Sequence, residues 1–180
     1  MHTSLLDGRI LITQATVLPH ADGFTLLSLG KNKMDYILYP SHDGWKPQHV
    51  EVDSVNVPAE SRAIGGRRLA VRIQQPEKPQ VNEYFLKINY VADVAMAFIN
   101  GTMVLDQFYH GAPWLIGLKR FSQPLQATGE MNFYFRPLSK NASFLNDLPP
   151  SARPDFSQQN KLLHIDRIEI IPEYKVRIRY

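Results

Sequence analysis

Short runs rich in valine, isoleucine, phenylalanine and tyrosine recur along the chain between turn signals, and no window of about eleven residues carries a convincing helical stripe. GRILITQ, FTLLSLG, MDYILYP, HVEVDSVNV, RRLAVRIQ, EYFLKINYV, VAMAFIN, TMVLD, WLIGLKRF, EMNFYFRPL and HIDRIEIIP with EYKVRIRY follow one another in this way. That spacing predicts an all-β sandwich or barrel. Prolines, notably Pro40, Pro47, Pro58, Pro76, Pro79 and Pro137, read as strand boundaries, because a proline inside a central strand breaks its ladder. Segment 138–161, polar and proline-rich, reads as a long surface loop. With 180 residues, of which 44% are hydrophobic, the chain can bury one full core, so a single domain over 1–180 is expected.

The strongest local signal is Asn100-Gly101 between two apolar runs, which predicts a two-residue type I′ hairpin with both central residues at positive φ. Facing residue numbers then sum to 201, unless a bulge intervenes. One face carries Val94, Met96, Phe98, Met103 and Leu105; the other carries Ala95, Ala97, Ile99, Thr102, Val104 and Asp106. Both are largely apolar, so something is expected to cover the second face, where the small Ala95 and Ala97 allow a close approach. The loop 138–161 is one candidate cover and a catalytic partner domain is another. Gly65-Gly66 before Arg67-Arg68 reads as a second hairpin turn.

From Tyr90 to Phe121 the chain carries Asp93-Val-Ala, Phe98-Ile-Asn-Gly, Asp106-Gln-Phe-Tyr, Gly111-Ala-Pro-Trp and Ile116-Gly-Leu-Lys-Arg-Phe. This string resembles the carboxy-terminal jelly-roll region of bacterial β-galactosidases of glycoside hydrolase family thirty-five, and the closing IPEYKVRI is similar to the final strand there. The likeness runs from Glu83 to Pro172, and Ala92 stands where the pattern usually has glycine. It implies a jelly-roll-like β-sandwich, galactose-binding-domain-like in fold, that accompanies a catalytic barrel in an extracellular or periplasmic enzyme. The chain is far too short to contain such a barrel, so the resemblance implies an accessory domain without catalytic residues of its own, excised or separately encoded. It also implies galactoside-containing carbohydrate and a catalytic domain as partners.

The aromatic residues suited to stack on the apolar face of a sugar are Tyr109, His110 and Trp114 around Gly111-Ala112-Pro113, and Trp45 in the SHDGWKP turn. The alternative for Trp114, Phe108, Tyr109 and His110 is the core. Asp106 is the best-placed acid, as a sugar ligand, a strand-end hydrogen-bond acceptor or, with Glu130, the pair that a small glycosidase would need. His164 and Asp166 fall on one strand face, too few for a metal centre and better read as solvated. No cofactor is implied. Cysteine is absent, which excludes disulfides and thiolate chemistry.

A formal charge of +3 gives no footing for nucleic acid. Lys175, Arg177 and Arg179 share one strand face, read as a solvated or edge-strand face rather than a polyanion stripe. No apolar run reaches the length of a membrane span, and the opening MHTSLLDGRI lacks the order of a signal peptide. An autonomous carbohydrate-binding module and a protein-interaction domain, including self-association through the apolar sheet face, are the other readings.

Overall fold

The computed structural model describes residues 2–6, 8–40 and 44–180. In chain order the strands are β1 (His2–Leu6), β2 (Arg9–Thr13), β3 (Thr16–His20), β4 (Gly23–Leu29), β5 (Lys33–Tyr39), β6 (Gln48–Glu51), β7 (Glu60–Ala63) and β8 (Arg68–Arg72). There follow β9 (Val81–Val91), β10 (Val94–Ile99), β11 (Thr102–Phe108), β12 (Trp114–Gly117), β13 (Glu130–Arg136), β14 (Leu138–Ser139), β15 (Lys161–Leu162) and β16 (His164–Arg179). Among the described residues the only α-helix is α1 (Ser122–Thr128), and the fold is all-β and sandwich-like, with antiparallel ladders.

The chain forms two interleaved compact units, one of residues 1–56, 76–84 and 171–180, the other of 57–75 and 85–170. In the first, one sheet has the order β1-β2-β5-β6, and β3-β4 continues into the last part of β16. Its core holds Leu11, Phe24 and Leu26, fully buried, with the Tyr36 ring edge-on to Phe24 at 5.7 Å.

In the second unit a five-stranded sheet, β11-β10-β13-β8-β7, faces the β9–β12 pair. Aromatic rings join the layers: Trp114 meets Phe133 at 5.9 Å, and Tyr90 meets Phe135 at 5.6 Å. Ala95 and Ala97 lie opposite Phe135 and Phe133 on this inner face, and both alanines are buried. Small side chains there leave room for the rings next to them. The cover expected over Ala95 and Ala97 is thus the sandwich's own second layer.

Asn100 and Gly101 turn the hairpin at φ of 49° and 77°, and Gly65-Gly66 turns β7 into β8 as expected. The regular pairing ends early, however. Phe98 faces Met103, but Ala97 faces Leu105 and Met96 faces Asp106, so Val104 is a bulge. The face assignment is corrected accordingly: Leu105 joins the inner face, and Asp106 joins Met96 and Phe98 outside.

Three strands, β1, β3 and β7, lack a sequence signal, and each is an edge of its sheet. WLIGLKRF is extended only to Gly117; Lys119–Phe121 makes a 3₁₀ turn into α1, which Gly129 ends at φ 64°. Pro19 and Pro172 fall inside strands rather than at boundaries. Pro19 sits on edge strand β3, and Pro172 directly precedes the β16–β4 ladder, which begins at Glu173–Leu29, so neither removes a needed donor there.

The segment 138–161 is a loop apart from its two-residue end strands and two short 3₁₀ turns. It is self-tied: the Arg153 guanidinium donates to the carbonyls of Leu148 and Asn146, each at 2.8 Å. β16 runs between β9 and β4, but β9 begins opposite about Tyr174, so Arg177 and Arg179 lie on the stretch laddered to β4, and the Lys175–Arg177–Arg179 face is solvated as expected. Asp22 answers both arginines, at 2.5 Å from Arg177 and 3.6 Å from Arg179. Hydrogen bonding to Arg177 holds the Asp22 carboxyl below its usual range.

Candidate functional site

Trp114 and Tyr109 are core residues. Trp114 is 4% exposed between Tyr90 and Phe133, and the Tyr109 hydroxyl donates to the Ala152 carbonyl at 3.0 Å, under the 138–161 loop. Gly111 allows that loop to approach: a Cβ there would sit 2.3 Å from the Ala152 Cβ. Neither ring therefore presents a face for sugar, because both complete the close packing between the layers.

His110 is exposed at the turn after β11, its Nδ1 3.1 Å from Gln107 Nε2. Asp106 is exposed on edge strand β11, and Glu130 is bound by Arg62 at 3.6 Å. Asp106 aligns through Met96 with Tyr134, four residues beyond Glu130 and two strands away. Ordinary strand spacings put the two carboxylates roughly 16 Å apart on an open face, too far for the pair of carboxyl groups that glycoside hydrolysis uses. His164 and Asp166 are both exposed and lie 4.0 Å apart, and no group of three metal-ligating side chains occurs among the described residues.

Two surface features remain. In the first unit Trp45 is 52% exposed and stacks on Tyr39, with rings 4.1 Å apart and 6° from parallel. Ser41, His42 and Asp43, of the stretch that contains Trp45, lie outside the described residues. Tyr39 continues a cross-strand row through Ile10 to the exposed Leu5. The Tyr39 partner was not expected from sequence, although a tyrosine six positions before a turn tryptophan was a usable signal.

In the second unit the outer face of the five-stranded sheet is divided. Toward β11 it carries Met96, Phe98, Met103 and Phe108, the last two 54% and 62% exposed, with the Asp106 carboxylate between them on β11. Toward β7 it carries the ion pairs Arg62–Glu130 and Arg72–Glu60, at 3.6 and 3.5 Å. Singly exposed apolar side chains are ordinary; several on one face, with Asp106 among them and ion pairs at the border, make the pattern of a contact surface. Met103 lies on the face where the hairpin pattern put it, whereas Phe108, read as a core ring, is exposed on that face because the bulge shifts the alternation of the residues that follow it. Among the described residues no helix is long and apolar enough to cross a membrane.

No protein-family model, curated protein or solved structure matches this chain.

Proposed function

We propose that this chain is an accessory β-sandwich of a β-galactosidase-like glycoside hydrolase, packing on a catalytic domain and contacting galactoside-containing carbohydrate. The observation that carries the reading is the exposed patch of Met103 and Phe108 with Met96 and Phe98, bordered by ion pairs. A partner domain seated there removes this apolar area from water, at about 25 cal/mol per Å². Carbohydrate contact rests on the Trp45 ring, which offers an apolar surface for sugar C–H groups.

The test has two arms. Amide hydrogen exchange of the chain mixed with the barrel domain of a family thirty-five β-galactosidase should show added protection over 94–108; unchanged exchange there overturns the docking reading. Calorimetric titration with galactose, lactose and a panel of plant and host oligosaccharides should give millimolar or tighter binding that Trp45→Ala removes without lowering the melting temperature. Silence across the panel removes the carbohydrate contact. Binding together with unchanged exchange favours an autonomous carbohydrate-binding module, which Trp45 alone would support.

A further inference from the structure

In the first unit β2 passes into β3, and β4 into β5, through matching bends at 14–15 and 30–32, so that one long hairpin is folded at a corner. The corner is pinned. Thr13 Oγ1 donates to the Asp35 carbonyl at 2.7 Å and accepts from Ala15 N–H at 3.1 Å. Gly30, at φ 70°, donates its N–H to the Pro172 carbonyl at 2.8 Å, and Asn32 Nδ2 donates to the Val52 carbonyl at 2.8 Å.

This corner opens a cleft of about 680 Å³, a size usual for small-molecule sites. Its floor is apolar and buried: Ala15, Leu27 and Met34. Its rim offers the Gln14 amide, the Thr16 and Ser28 hydroxyls and the Lys31 ammonium. The other polar rim groups are already matched, Lys33 with Glu51 at 3.1 Å and His49 with Asp35 at 2.6 Å. Lys31 forms no ion pair among the described residues.

We infer that the corner cleft binds a short acidic oligosaccharide, whose carboxylate meets Lys31 and whose hydroxyls meet Gln14, Thr16 and Ser28. Hydroxyl and amide groups around a small apolar floor suit a ligand with many hydroxyls. A neutral sugar would need a ring to stack on, and both aromatic rings at this cleft are engaged, Tyr36 edge-on with Phe24 and His49 with the Asp35 carboxylate. Charge therefore takes the role that stacking has at Trp45. The inference stands on the cleft alone and goes beyond the galactoside reading.

Calorimetric titration of the full chain with trigalacturonic acid, and with its fully methyl-esterified form, tests it. The acid should bind and the ester should bind about five-fold more weakly, the upper end of what one exposed ion pair contributes. Lys31→Met should lower the affinity for the acid to that for the ester, whereas Trp45→Ala should leave it unchanged. Equal binding of acid and ester, no binding of the acid, an unaltered Lys31→Met variant, or competition by inorganic phosphate at equal concentration would each overturn the site. Galactoside silence with trigalacturonate bound defeats the galactoside contact at Trp45 alone, and the reverse result defeats this inference alone.

Discussion

Trp114 and Trp45 are the same side chain in opposite situations. Trp114 sits on β12, where alternate residues point inward, and its ring is sealed between Tyr90 and Phe133. Truncation to alanine should therefore cost about 3–5 kcal/mol, seen as a lower urea midpoint with an unchanged slope. Tyr90 and Tyr109 add a pH dependence to the same core. Burial pushes both phenols above their ordinary value, and for Tyr90 the neighbouring Tyr109 adds to the effect. In the unfolded chain they lose protons near pH 10, so their stabilising contribution is complete below about pH 10 and declines above it. Urea midpoints measured from pH 8 to 11 should fall steeply above 10, and Tyr90→Phe should flatten that fall.

The hairpin β10–β11 shows why an element's partner matters more than its own pattern. Met103, Val104 and Leu105 are all apolar, so alternation along β11 says nothing about which side each one faces. Unbroken pairing would have set Asp106 beside Ala95 on the buried face. An unpaired carboxylate there is costly, and the bulge at Val104 turns it out to solvent. The loop that closes the same end depends on a glycine. Gly111→Ala adds left-handed strain of about 1–2 kcal/mol and a collision with Ala152 of about 1–3 kcal/mol. We expect a loss of about 2–5 kcal/mol by chemical denaturation, with faster amide exchange in 143–153.

At the scale of the molecule, the apolar half of the outer sheet face is the feature that the fold leaves unsatisfied. Without a partner domain, copies of the chain can cover it for one another, and sedimentation velocity should show concentration-dependent association. The double substitution Met103→Lys with Phe108→Lys should make the chain monomeric while changing stability by no more than about 1 kcal/mol, since both side chains are exposed. If the doubly substituted chain still associates, the contact lies on another surface.

Strand content, the turns at Asn100-Gly101 and Gly65-Gly66, and the loop 138–161 were all determined by the sequence, because each depends on neighbours a few positions away. Edge strands β1, β3 and β7 were not legible, since strands with little burial show no alternation. Nor were the outward turn of Asp106, the burial of Trp114 and Tyr109, the Trp45–Tyr39 stack or the corner cleft. Those were decided by the tertiary structure alone, because burial and cross-strand register are set by contacts between residues far apart in the chain, to which local periodicity is blind.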